Sequence, residues 1–239
     1  MNILILNPDC FFAPDLAKVK GRQLAHIHNV LKCGIGDTLE IGLVNGLVGS
    51  AEIIDISTHS ATIRCNLYKE PPQPLPVTLI LALPRPKMMR RVIQTVASMG
   101  VKELFLINSY KVDKSYWSTP WLTEEALHEN LLLGLEQAKD TRLPLIHQRK
   151  LFKPFVEDEL AALSADSAKF IAHPGSTAAC PVNITSRSTL VIGPEGGFTE
   201  YEVNKITEVG FTPINMGSRI FRVETAIPAL LAKIFPFSN

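Results

Sequence analysis

The chain has 239 residues, 46% apolar and 20% charged, and 24 Lys plus Arg against 23 Asp plus Glu leave a formal net charge of +1. That composition excludes a disordered chain, and it excludes a protein that holds polyanions by bulk charge alone. A nucleic-acid partner would have to be met by locally clustered cations, and the length suits one large domain or two small ones.

The N-terminal apolar run Ile3-Leu4-Ile5-Leu6 is too short for a signal peptide and stops at Pro8-Asp9. No stretch reaches the length of a membrane-spanning helix. Cys10, Cys33, Cys65 and Cys180 form no CxxC pair and lie near no His at ligand spacing. They read as reduced thiols in a reducing compartment, so a cytoplasmic protein with no metal is expected.

Residues 1–70 read mainly as strands. A helix is predicted at about 21–32, where Leu24, Ile27 and Leu31 share a face. Leu39-Glu40-Ile41, Ala51-Glu52-Ile53 and the segment 61–67 alternate apolar and polar, and Asn45-Gly46 between the first two is a turn signal. A small β-barrel with one helix fits. Four prolines in Glu70–Pro76 then make a stiff, extended linker, which sets the expected boundary between domains 1–70 and 77–239.

Beyond the linker the pattern changes. Val77–Leu83 is a continuous apolar run, as in a strand buried on both faces. A helix at 88–99, a strand at Glu103–Ile107, a helix at 123–139 and strands at Lys169–His173 and Thr189–Ile192 follow. The series ends with a helix at 200–209, a strand at Thr212–Met216 and a helix at 225–235. Alternating strands and helices predict an α/β domain with a mostly parallel sheet.

Ligands of such sheets bind beyond the carboxyl ends of the strands. Three of these ends carry unusual residues: His173-Pro174-Gly175, Gly193-Pro194-Glu195-Gly196-Gly197, and the run from Met216 through Gly217, Ser218, Arg219, Ile220, Phe221, Arg222 and Glu224 to Thr225. The glycines bare the backbone for close approach, and Thr199-Glu200-Tyr201-Glu202 reads as a capping box opening the next helix. The glycine turn is neither a P-loop, since no GK[ST] follows, nor a GxGxxG dinucleotide turn. Taken alone it fits a tight strand-to-helix turn as well as a ligand loop. Arg219 and Arg222 fit either a held phosphate or polarised base, or a solvated loop with Arg–Glu pairs. Arg85, Lys87, Arg90 and Arg91 place four cations at a helix start, where phosphate contacts are favoured.

Gly193-Pro194-Glu195-Gly196-Gly197-Phe198-Thr199 after a buried strand, followed by the Met216–Thr225 run and joined by His173-Pro174, resembles the C-terminal signature of the RsmE family. These are bacterial 16S ribosomal RNA methyltransferases of the SPOUT superfamily. His26-Ile27, Val30-Leu31-Lys32 and Gly36-Asp37 are similar to the family's PUA-like barrel domain. Gln94 with Gly100-Val101, and Glu136-Gln137, extend the likeness over nearly the whole chain. The chain departs from the family at Lys139-Asp140, where a Gly-Arg pair is usual, although Arg142 fits, and at Asn29, Thr95 and Ser98.

The resemblance implies a catalytic domain with a C-terminal deep trefoil knot, a homodimer, and no need of metal. It implies S-adenosylmethionine held by His173, Pro174, Gly193, Pro194, Glu195, Gly196, Gly197, Met216, Gly217, Ser218, Ile220, Phe221 and Thr225. It further implies methyl transfer to N3 of uridine 1498 of 16S rRNA, within the small ribosomal subunit. That atom lies on the pairing edge and carries a proton, so the base must be unpaired and must lose the proton near the moment of transfer. Arg222 is the expected cation beside the base oxygens, and Glu224 is either the base or the group that orients Arg222. RNA contacts are expected from Arg22, Lys32, Arg85, Lys87, Arg90, Arg91, Arg142 and Arg219. Two other readings remain: methylation of a different rRNA nucleotide, and a non-catalytic RNA-binding ribosome assembly factor.

Overall fold

The structure is a computed structural model and describes residues 2–236. It divides into two compact units, one of residues 1–73 with 132–143 and the other of 74–131 with 144–239.

The first unit carries strands β1 (Leu4–Leu6), β2 (Phe11–Ala13) and β3 (Leu16–Val19), then helix α1 (Gly21–His26), which passes into a π-helical turn at Ile27–Leu31. Strands β4 (Thr38–Leu43), β5 (Val48–Ile56) and β6 (Ala61–Lys69) complete a six-stranded mixed sheet in the order β1-β4-β5-β6-β3-β2. Only β1 and β4 pair in parallel. The predicted turn is present: Asn45 takes φ +55°, and the Gly46 N–H donates to the Leu43 carbonyl at 2.8 Å. Period-two burial sends Leu39, Ile41, Ala51, Ile53, Ala61 and Ile63 into one core with Leu24 and Ile27.

The first unit also takes Leu132–Leu143, from the part of the chain that the sequence pattern assigns to the second domain. The reason is a buried charge. Glu136, wholly buried, receives both terminal nitrogens of Arg22 at 2.8 Å. Arg22, expected on RNA, is therefore committed to this pair. Arg142 bonds Glu70 at 3.3 Å, and Lys32 is exposed at φ +54° after the π turn.

The second unit is built on β7 (Val77–Ala82), helix α2 (Pro86–Ser98), β8 (Glu103–Ile107), helix α3 (Glu124–Ala138), whose later residues fall in the first unit, and β9 (Leu145–Arg149). Short helices α4 (Phe152–Pro154) and α5 (Leu160–Leu163) flank a π turn. Then come β10 (Ala168–Ala172), β11 (Ser188–Ile192), α6 (Glu200–Glu208), β12 (Thr212–Ile214) and α7 (Val223–Ile234). The six strands are all parallel, in the order β12-β10-β11-β7-β8-β9. Every residue of the central strands β7 and β11 is buried, Thr78, Ser188 and Thr189 included, as in strands covered on both faces. Helix α2 buries Met89, Val92, Ile93 and Val96, and it packs against α7.

The last strand is shorter than predicted. It stops at Ile214, and Asn215 makes only an isolated bridge to Ala179 before the chain turns. No described helix is long and apolar enough to cross a membrane. No described group of His, Cys, Asp and Glu is arranged to hold a metal ion.

Candidate functional site

Three parallel strands, β10, β11 and β12, end side by side, and their outgoing loops enclose a cavity of about 380 Å³. From the first loop it is lined by Ala172, His173, Pro174 and Gly175; from the second by Ile192, Gly193, Pro194, Glu195, Gly196, Gly197 and Phe198. The third side comes from Ile214, Asn215, Met216, Gly217, Arg219, Ile220 and Phe221, closed by Val223, Ala226 and Leu230 of α7. Its walls are largely apolar, and bare backbone supplies the polar groups. That suits a ligand with a flat apolar part and a few hydrogen-bonding edges.

The second loop is shaped by what surrounds it. A Cβ at Gly193 would stand 3.1 Å from the Phe198 ring and 3.2 Å from its backbone nitrogen, so any larger residue would have to push Phe198 back by a few tenths of an ångström. Glu202 is buried, and one of its oxygens accepts from both the backbone N–H and the hydroxyl of Thr199, closing the predicted capping box of α6. Its other oxygen accepts the Tyr110 N–H at 2.8 Å. Lys111 Nζ donates to the Gly196 carbonyl at 2.7 Å, and the Arg85 N–H donates to Glu195 Oε1 at 3.1 Å. The ends of β7 and β8 thus hold the glycine loop from behind.

Asn215 joins the other two loops. Its Nδ2 donates to the carbonyls of Ser176 at 2.6 Å and Ala178 at 3.1 Å, and its Oδ1 accepts the Gly217 N–H at 2.8 Å. Its backbone bonds Ala178 and Cys180 in addition. His173 donates its N–H to the Ile214 carbonyl at 2.9 Å and sets its ring against Gly175.

Of the residues expected to hold a cofactor, all line the cavity except Ser218 and Thr225. Arg219, expected on RNA, lines it too. Arg222 and Glu224 do not: Arg222 is exposed, with the extended backbone of a helix N-cap, between the lining residues Phe221 and Val223. No ion pair joins Arg222 to Glu224 among the described residues, so the orienting contact considered for Glu224 is not made here. Arg85, Lys87, Arg90 and Arg91 are all exposed around the start of α2, with the Arg90 guanidinium 5.1 Å from the Trp121 ring centre. Sequence reasoning missed Asn215 and Lys111, and it gave Phe198 no role beyond its place in the glycine motif. The only signal for Asn215 was a polar residue interrupting an apolar strand end, and Lys111 carried none.

The RNA methyltransferase domain family matches residues 71–235. Ribosomal RNA small subunit methyltransferase E of Treponema pallidum is 30% identical over 217 residues, covering 89% of this chain and 82% of the relative. The protein of the same name from Synechocystis sp. is 27% identical, covering 89% and 70%. The crystal structure of a ribosomal RNA small subunit methyltransferase E from Neisseria gonorrhoeae bound to S-adenosyl methionine overlays with a TM-score of 0.74 at 20% identity, covering 97% of this chain and 95% of that one. With one family matched across the strands that build the cavity, and a relative matched over most of both chains, this chain belongs to the ribosomal RNA small subunit methyltransferase E family.

Proposed function

We propose that this protein transfers the methyl group of S-adenosylmethionine to N3 of uridine 1498 in the 16S rRNA of the small ribosomal subunit. The carrying observation is the cavity closed by the loops after β10, β11 and β12, in a chain of this family. The residues present fit the cofactor: Ile192, Ile214, Phe198 and Leu230 offer apolar faces for an adenine ring, and bare backbone at Gly193, Gly196 and Gly217 offers polar groups for its edges. Bound there, its sulfonium supplies an electrophilic methyl group.

The remaining chemistry belongs to the chain. Arg222 is exposed between two neighbours that line the cavity, which leaves its guanidinium for the base outside. A fixed cation beside the uracil oxygens stabilises the ring anion left when N3 loses its proton. Glu224, in the first turn of α7, is the nearest carboxylate in sequence to take that proton. The walls of the cavity align methyl and N3.

Two further features belong to this reading. The connection from β10 to β11 lies against Asn215 and also against the end of α7, where the Ile184 N–H donates to the Ile234 carbonyl at 2.7 Å. That grip on the last helix supports a C-terminal knot. Ile220, 82% exposed at the cavity rim, suits cover by a second copy in a homodimer. A PUA-like role for the first unit and a cytoplasmic location complete the proposal.

The test is methyl transfer onto small subunits from a strain lacking the modification, read by nucleoside mass spectrometry with site mapping. 3-Methyluridine at the expected position is the predicted product. Another methylated nucleoside would keep the enzyme and overturn the target. No transfer and no cofactor binding would leave a ribosome assembly factor.

A further inference from the structure

Tyr110 is the most exposed of the large apolar side chains among the described residues, at 84%. A single exposed aromatic needs no explanation by itself. This one stands on an anchored loop. Its N–H is held by the buried Glu202, Ser109 and Val112 beside it are buried, and the Val112 N–H donates to the Ser109 carbonyl at 3.0 Å. The ring therefore projects from fixed backbone.

Its neighbours set its surroundings. The Lys111 ammonium donates to the Gly196 carbonyl and the Arg85 backbone N–H to Glu195, two consecutive residues of the cavity wall, and both residues are exposed. A flat π face thus stands on a loop whose next residue sets its ammonium on the cavity wall, and an exposed arginine is tied to the same wall through its backbone. That combination suits unpaired nucleic acid, in which bases stack on aromatic rings while cations meet the phosphates.

We propose that Tyr110, with Lys111 and Arg85, is a stacking platform for an unpaired base of the RNA strand that carries the target nucleotide. The proposal rests on the reading of this chain as an RNA methyltransferase and adds a base-binding site to it. The platform holds substrate equally before and during methyl transfer, so it acts on KM rather than kcat.

The experiment compares wild type, Tyr110→Ala and Tyr110→Trp in steady-state methyl transfer onto unmodified small subunits, with cofactor affinity and sedimentation measured alongside. Tyr110→Ala is expected to raise KM for the subunit about tenfold, with kcat and cofactor affinity kept, and Tyr110→Trp is expected to restore KM. An unchanged KM in Tyr110→Ala beside an active wild type overturns the platform. A fall in cofactor affinity also overturns it, by placing the ring in the support of the loop, and so does a changed oligomeric state, by giving the ring to a second copy. A wild type that transfers no methyl group sinks the proposed function instead. The platform is then tested by anisotropy of a labelled single-stranded oligouridine, which Tyr110→Ala should bind about tenfold more weakly; equal binding overturns it.

Discussion

Arg222 sits between two residues that line the cavity but is itself exposed and outside the lining, so its removal should separate binding from chemistry. Arg222→Ala is expected to lower kcat about 10²–10³-fold, the usual effect of losing one donor to a developing anion, while calorimetry shows cofactor affinity retained. Gly217 makes the opposite case. It lines the cavity at φ +105°, a region that L side chains rarely enter. Gly217→Ala should strain the third loop by about 1–3 kcal/mol and weaken cofactor binding roughly tenfold or more, with kcat at saturation little changed. Cys65 reports on the first unit. Burial, then Asp15 and Cys10, push its thiol up to about 11 from 9.0. The folded state keeps this proton through a range where the unfolded chain has lost it. The contribution is therefore whole below the unfolded value and is lost as pH rises towards 11. Denaturant titrations across that range should show wild type losing stability faster than Cys65→Ala.

At the scale of elements, the cavity depends on loops tied to each other as much as to their strands. Asn215 spends three side-chain hydrogen bonds on Ser176, Ala178 and Gly217. Asn215→Ala is expected to destabilise the protein by about 1–3 kcal/mol, since the groups it leaves are partly shielded from water, and to weaken cofactor binding further by releasing two walls at once. Thermal unfolding with and without S-adenosylmethionine measures both effects. Much of this architecture was legible in advance. The runs at β7 and β11, the helical spacing in α2 and the Asn45-Gly46 turn each obey a local rule. Other parts obey none. Leu145–Arg149 is a half-buried edge strand with a single neighbour, so its LIHQR pattern shows neither alternation nor an apolar run. Strands β1 and β2 are three residues each, shorter than any period can reveal. The ties from Asn215, Lys111 and Arg22 join distant parts of the chain, and no spacing announces them.

At the scale of the whole molecule, one of the cations expected on RNA is held in a structural pair. Arg22 and the buried Glu136 lie far apart in sequence, and their fork fastens Leu132–Leu143 to the strands of the first unit. Arg22→Ala would strand a carboxylate away from water. A fully buried pair broken this way costs about 3–5 kcal/mol, and with Arg22 40% exposed a loss of about 2–3 kcal/mol is expected. Denaturant unfolding checks the value. A variant of wild-type stability with weakened RNA binding would return Arg22 to the RNA.

The pairing of β11 with β7 joins residues about 110 positions apart, at the centre of the parallel sheet. Such a contact is slow to form, because closing a long loop has to precede any return from it. Strands β7, β8 and β9 pair with near neighbours, as do β10, β11 and β12, so the seam of β11 with β7 is what joins the two halves of the sheet. The support that Arg85 and Lys111 give the glycine loop from the ends of β7 and β8 therefore arrives with that seam. A ligand that binds only the joined state, present at a hundred times its dissociation constant, adds about 2.7 kcal/mol to that state.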